Sequence, residues 1–394
     1  MIPNNVDLIC LSHLRWGFVF QRPQHLMSRF ARDRRVFFFE EPVFENTEAD
    51  LRSSVCPKTG VRVNTPVLPA GLSQREITAH QTKFLKTVVE ENGIADHIAW
   101  YYTPMALEFS SELRPSLTVY DCMDELSAFA GAPPAMRHNE ASLFAQADLI
   151  FTGGASLFES KKKQHTSVHL FPSSVDVPHF AQARTARQDP EDQARIPRPR
   201  LGYAGVIDER MDLELLRELA TQRPEWQIVL LGPVVKIESA SLPRNSNIHY
   251  LGMKQYADLP AYLAGWDIGM LPFARNESTR FISPTKTPEY LAAGLRVISS
   301  PIQDVVKPYG DLGLVEIAGD TSEFIRAAEK LLDSPHSMFR AQVDQFLSKS
   351  SWDKTWLEMN KLMENKMALE QLQGAQNSRL APGANSVLKG VSNV

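Results

Sequence analysis

Short apolar runs alternate with amphipathic stretches along this chain, in two series separated by a polar segment. In the first series, residues 6–11 (VDLICL) and 35–39 (RVFFF) have the length and unbroken hydrophobicity of buried strands. Between them, residues 24–31 space Leu26, Met27 and Phe30 as a helix does, with Pro23 just ahead, where a missing N–H costs nothing. Residues 98–102, 117–120, 149–152 and 169–172 read as further strands, and 74–91 and 137–147 as helices. Strand, helix, strand in repeated order predicts a parallel sheet with helices on both faces.

Residues 181–199 interrupt the rhythm with Arg, Asp, Gln, Ala and Pro, closing on IPRP, and read as a linker. The second series then opens with a strand at 201–206 (LGYAGV) that ends in a glycine turn. Strands follow at 226–231 (closed by Gly232-Pro233), 248–252, 268–271 and 297–299, with helices at 213–222, 259–265 and 288–293. The fold class is therefore α/β: two Rossmann-like α/β/α domains, 1–180 and 200–350, facing a cleft where the carboxyl ends of the strands receive ligands. Residues 368–394 are rich in Gln, Asn, Ser, Gly and Ala and are expected to be disordered.

A length of 394 residues with 43% hydrophobic content suits two cores rather than one. The net charge of −4 carries no strong basic field, so nucleic acid is not an expected partner. Cys10, Cys56 and Cys122 lie far apart, which gives neither a disulfide framework nor a zinc site and fits a reducing cytoplasm. The opening MIPNNVDLIC lacks the basic start and apolar run of a signal peptide, and no stretch reaches the ~18–20 apolar residues of a membrane span. The expectation is a cytoplasmic protein, with peripheral contact to the inner face of the membrane left open.

The densest chemistry lies at 276–301 (NESTRFISPTKTPEYLAAGLRVISSP). A polar loop, Ser283-Pro284-Thr285-Lys286-Thr287, runs into a helix that Gly294 is suited to end. Loop N–H groups and the positive end of the helix attract anions, the three hydroxyls add donors, and Lys286 adds a point charge suited to pyrophosphate. Glu289 in the first turn can accept hydrogen bonds from two ribose hydroxyls. The plainer reading is an ordinary cap, with Glu289 balancing the helix dipole.

Residues 286–298 (KTPEYLAAGLRVI) resemble the nucleotide-sugar signature of GT-B glycosyltransferases, in the family that includes many bacterial mannosyl- and glucosyltransferases. The resemblance covers about residues 6–365 and implies a donor site on the second domain. Within it the ribose-binding glutamate falls on Glu289 and the donor phosphates fall near Gly205 and Arg210 of 200–212 (RLGYAGVIDERMD), with the plainer alternative that Arg210 pairs with Asp208 or Asp212. The base loop falls on Gly252 and Met253. The resemblance also implies a last helix, at 351–367, crossing back to the first domain. A second glutamate common in the family is replaced by Phe281, which bears on how the sugar is held and on the retaining stereochemistry that analogy favours. A UDP-sugar donor and no metal cofactor are the expectations, because Lys and Arg take the place of a cation.

In the first domain, residues 15–26 (RWGFVFQRPQHL) resemble an RWxxxxQRPQHL pattern of glycosyltransferases from capsule, exopolysaccharide and teichuronic-type polymer loci. His13, Arg15, Trp16, Gln21 and Arg22 are accordingly candidate acceptor residues for a saccharide or lipid-linked acceptor, against the alternative that Trp16 packs on the sheet. Asp121 and Asp124, after the 117–120 strand, are candidate catalytic carboxylates, against helix capping. Two other readings stay open at this stage: a nucleotide-sugar epimerase of the same architecture, and a non-catalytic nucleotide- or glycan-binding scaffold of a polysaccharide locus. A dinucleotide-dependent oxidoreductase is disfavoured, since no GxGxxG follows the first strand.

Overall fold

The structure is a computed structural model that describes residues 6–186, 188–333 and 337–380. The first lobe is built on a nine-stranded sheet: β1 (Asp7–Leu11), β2 (Val36–Phe39), β3 (Val43–Glu45), β4 (Asp50–Val55), β5 (Arg62–Pro69), β6 (His97–Tyr101), β7 (Leu117–Cys122), β8 (Leu149–Thr152) and β9 (Val168–Leu170). Its order is β3-β5-β2-β1-β6-β7-β8-β9, all parallel, with β4 pairing antiparallel to β5. The alternation of apolar runs gave β1, β2 and β6 to β9. It did not give β3 to β5, because β3 is short, β4 is largely exposed and two prolines interrupt β5.

The second lobe carries six parallel strands: β10 (Arg200–Ala204), β11 (Gln227–Leu231), β12 (Ile248–Gly252), β13 (Ile268–Leu271), β14 (Arg296–Ser299) and β15 (Glu316–Ile317). Their order, β12-β11-β10-β13-β14-β15, is doubly wound and reverses direction between β10 and β13. The equivalent reversal in the first lobe falls between β1 and β6. Each reversal leaves a crevice at the carboxyl ends of the strands.

Two glycines let the second core close. A Cβ on Gly202 would clash with the Trp266 ring, and one on Gly269 would stand 2.6 Å from the Tyr290 ring. Tyr290 is fully buried, meets Trp266 edge-on at 5.9 Å, and its hydroxyl accepts from the Ala204 N–H at 2.7 Å. This bond ties the Lys286–Ala293 helix to the end of β10 and so fixes the position of Glu289, one residue earlier. The helix ends at Gly294 in the left-handed conformation (φ 87), the C-cap its sequence called for.

The last helix, Trp352–Leu380, packs on the first lobe. Trp352 stacks on His25 at 4.5 Å and 11°, while Met359, Met363 and Met367 are buried in the first lobe's core. Asp353 receives Arg29 at 3.0 Å and Arg32 at 2.9 Å. The helix continues to Leu380, so the boundary expected at 367 falls inside it, and the expected disordered tail (368–394) is helical through 380; residues 381–394 lie outside the described residues. No helix among the described residues is long and apolar enough to cross a membrane.

Candidate functional site

The two crevices open onto one cleft of about 650 Å³. The second lobe contributes the ends of β10 and β11 (Ala204, Gly205, Leu231, Gly232), the segment Met253–Leu259, and Lys286 and Glu289. The first lobe contributes Trp16 to Phe20, Gln24, and Cys56, Lys58 and Thr59 from the turn between β4 and β5.

Lys286 and Glu289 are one helical turn apart and in contact, Nζ to Oε2 at 3.1 Å, and Lys286 also donates to the Thr285 hydroxyl at 3.1 Å. Burial raises the Glu289 carboxyl above the ordinary range, and the Lys286 ammonium pulls the other way. The pair therefore presents a charged donor and an acceptor-only carboxylate side by side at a helix N-terminus. Gly205 and Gly232 lie beside it. Gly232 takes φ 138, and a Cβ there would clash with the Gly205 carbonyl, so both strand ends remain bare backbone. Gly252 (φ 70) turns the chain into Met253, which is 41% exposed at the cleft.

Other expected donor residues are placed differently. Thr287 is fully buried and does not line the cleft. Ser283 faces the first lobe: a Cβ on Gly154 would stand 2.7 Å from the Ser283 Cβ. Beside it, Asp304 accepts from the Ser156 N–H at 2.9 Å, so this edge of the cleft is an interlobe seam. Phe281 belongs to the same seam and packs against the first lobe's core, which accounts for an apolar residue where a glutamate is common. Arg210 is committed to Asp208 (Nη2 to Oδ2 2.6 Å, Nε to Oδ1 3.0 Å) and lies over the Phe129 ring at 5.4 Å. The plainer sequence reading of Arg210 is the one the geometry displays.

The first-lobe candidates divide in the same way. Trp16 lines the cleft and meets Phe38 edge-on at 5.2 Å. Arg15 binds the Glu40 carboxylate at 3.4 Å and the Glu41 and Pro42 carbonyls at 2.9 Å, which leaves it a loop staple rather than an anion receptor. Gln21 opens the first helix, its N–H donating to the Gln24 side chain at 3.0 Å. Arg22 is buried, bound to Asp121 through Nη2 at 2.8 Å and Nε at 2.9 Å, and to the Phe171 carbonyl at 2.7 Å. Neither Arg22 nor Asp121, at 1% and 0% exposure, has a face for a substrate. Asp124 differs: burial pushes its carboxyl up to about 6 against the pull of Arg210 and Arg22. Arg210 belongs to the second lobe, so Asp124 lies near the boundary between the lobes. His13 is held down to about 4 by burial, with Lys236 of the second lobe adding to the effect.

The sequence reading had missed Gly232, Lys58, Cys56 and Tyr256. The first had a legible signal in Gly232-Pro233 at a strand end. The Cys56–Thr59 turn had none, because its strands were not foreseen. Tyr256 is wedged between lobes, stacked on His179 at 4.2 Å and tilted on Phe20 at 4.6 Å.

Comparison with known proteins bears on this geometry. The solved structures that resemble it include sucrose-phosphate synthase from Thermosynechococcus elongatus (TM-score 0.71, 14% identity, 92% of this chain and 100% of that one). The chain has the GT-B fold. Anabaena HepE in complex with UDP, a second GT-B structure, matches with TM-score 0.64 and 12% identity over 91% of this chain and 100% of that one. A third, trehalose-6-phosphate from E. coli bound with UDP-2-fluoro glucose, has TM-score 0.66 and 11% identity over 92% of this chain and 99% of that one. Residues 198–334, which make up most of the second GT-B lobe, match the family model described as Glycosyl transferases group 1. A curated relative, the putative teichuronic acid biosynthesis glycosyltransferase TuaH of Bacillus subtilis, is 26% identical over 254 residues. That match takes in 59% of this chain and 63% of the relative, just under two thirds of its length.

Proposed function

We propose that this GT-B chain is a glycosyltransferase that takes its sugar from a UDP-linked donor and passes it to a saccharide or lipid-linked acceptor in cell-surface polysaccharide synthesis. The observation that carries the reading is the Lys286–Glu289 pair at a helix N-terminus, open to a cleft between lobes and flanked by the bare backbone of Gly205 and Gly232. In this reading Glu289 accepts from the ribose hydroxyls. Lys286, the helix N-terminus and the glycine-lined strand ends hold the diphosphate and stabilise its charge as the glycosidic bond breaks. The family match to the second lobe, and structural neighbours solved with UDP or a UDP-sugar analogue, support the assignment.

Asp121 drops out of the chemistry, since Arg22 occupies both its oxygens. Asp124 remains as the candidate carboxyl, beside Arg210 where the two lobes meet. Retention is kept from analogy with the resembled family, with the donor phosphate assisting the incoming hydroxyl. Positive charge on the leaving diphosphate comes from side chains and helix dipole, so turnover is expected to persist in EDTA. The test is a calorimetric titration with UDP, with GDP as control, followed by detection of UDP release from UDP-sugars in the presence of acceptor. Saturable UDP binding and acceptor-dependent release are the expected results; a folded protein that binds neither nucleotide contradicts the assignment.

A further inference from the structure

The Ala155–Lys161 helix of the first lobe begins without a side-chain cap of its own, because the residue ahead of it is Gly154. The first N–H groups of a helix need an acceptor from elsewhere. Here it comes from the opposite lobe. Asp304 lies in the short Gln303–Val305 helix that follows β14, is 6% exposed, and accepts from the Ser156 N–H at 2.9 Å. Gly154 makes the approach possible, since a Cβ there would overlap the Asp304 carboxylate. Burial raises the Asp304 carboxyl, and hydrogen bonds from Ser156, the Ala155 N–H and the Ser283 side chain oppose the rise.

This cap across the lobes joins two parts of the proposed reaction centre. On the second-lobe side, Ser283 opens the loop that leads into Lys286 and Glu289, and it lies at the same point as the cap, beside Gly154. Two residues earlier, Phe281 packs against the first lobe's core and anchors the start of that loop. On the first-lobe side, the Gly153 N–H donates to the Cys122 carbonyl at 3.0 Å. Gly153 has no room for a side chain, since a Cβ would come 2.5 Å from the Met123 carbonyl oxygen. The residue after Met123 is Asp124, the candidate carboxyl.

The donor loop and Asp124 are thus linked by contacts through Ser283, Asp304, the helix N-terminus and the Gly153–Met123 backbone. A cap supplied one residue ahead of the helix would satisfy it within one lobe. A cap supplied by the other lobe also holds the two lobes to hydrogen-bond length at that point.

We propose that Asp304 is a positioning residue: by capping the first-lobe helix from the second lobe, it sets the register between the nucleotide-holding loop and Asp124. Its role in transfer rests on the transferase reading above; the cap itself rests on the geometry.

Three variants of the full chain test it. Asp304→Ala removes the acceptor. Gly154→Ala, on the opposite lobe, fills the space the carboxylate needs, at an extended backbone (φ −161) that alanine adopts freely. Asp304→Asn keeps a capping oxygen, since Asn caps helices about as well as Asp. Hydrogen exchange of the peptide around Ser156 reads the cap, and it is expected to quicken about tenfold in the first two variants and to stay near wild type in the third. UDP titration reads the donor contacts, which lie on the second lobe, and is expected to stay within about threefold of wild type throughout. Release of UDP from the UDP-sugar that the wild type turns over, with acceptor present, reads the register. There kcat is expected to fall about tenfold or more in Asp304→Ala and Gly154→Ala, with KM for the donor little changed and Asp304→Asn restoring the rate. Unchanged exchange at Ser156 in Asp304→Ala overturns the cap. Wild-type kcat in a variant that has lost this protection, or UDP affinity that falls in step with kcat, overturns the positioning role. A wild type that neither binds UDP nor releases it overturns the transferase reading and the positioning role together, while the exchange result still decides the cap.

Discussion

Arg22–Asp121 and Lys286–Glu289 are both cation–carboxylate pairs, both at the carboxyl ends of parallel strands, and both stood out in the sequence. The first is sealed, with side chains 1% and 0% exposed and a further bond from Arg22 to the Phe171 carbonyl. The second keeps 17% and 10% of its side-chain surface and lines the interlobe cleft. Residue type and spacing do not separate the two; the enclosure around them does. A buried pair with every oxygen committed holds loops in register, whereas a pair with one open face can exchange its partner for a ligand.

The largest expected effect belongs to the sealed pair. Arg22→Ala leaves the Asp121 carboxylate buried and uncompensated, at a cost of about 3–5 kcal/mol of folding stability. Chemical denaturation checks this, together with UDP titration of the folded fraction, which is expected to keep its affinity. A variant of normal stability that has lost UDP binding would reverse the comparison between the pairs.

Asp124 lies between the two cases, and its pH dependence sharpens the contrast. Its folded carboxyl keeps a proton up to about 6, against 3.8 for the ordinary group. Its contribution is therefore full below 3.8 and is lost as pH rises through 6, a span worth up to about 3 kcal/mol. Asp124→Asn is expected to remove that slope from denaturation curves taken between pH 4 and 7; an unchanged slope would place Asp124 in solvent.

His25 gives the opposite sign. Burial, helped by Arg29, Lys286 and His179, holds its imidazole down to about 3 from 6.5. The neutral ring stabilises fully above pH 6.5, and the contribution is lost as pH falls toward 3, with about 2 kcal/mol gone by pH 5. His25→Phe keeps a ring against Trp352 and is expected to flatten the acid side of the stability profile. Acid sensitivity equal to wild type would show that the imidazole gains its proton without penalty.

The smallest effect is the most specific. Glu289→Ala is expected to weaken UDP binding about tenfold, or ~1.4 kcal/mol, with little change in melting temperature. Unaltered affinity in a stable variant would remove Glu289 from the donor site.

Much of the fold was legible because a buried parallel strand writes an unbroken apolar run, and both series of runs reappear as central strands. The strands from Val43 to Pro69 write no such run, and with them the Cys56–Thr59 face of the cleft was lost. In the site, Lys286 and Glu289 were legible since residues three apart on one helix share a face. Arg22 and Asp121 were not assignable, because their pairing spans 99 positions and sequence says nothing of what covers it. Ser283 was not placeable for a related reason: it belongs to the donor loop in sequence but lies against Gly154 of the first lobe.

The central claim is that the nucleotide sits on the second lobe at Glu289. A crystal structure with UDP tests it most directly. The account predicts the ribose hydroxyls on the Glu289 carboxylate and the diphosphate against Lys286 and the Gly205–Gly232 backbone. A nucleotide bound elsewhere, such as wholly on the first lobe, would contradict it.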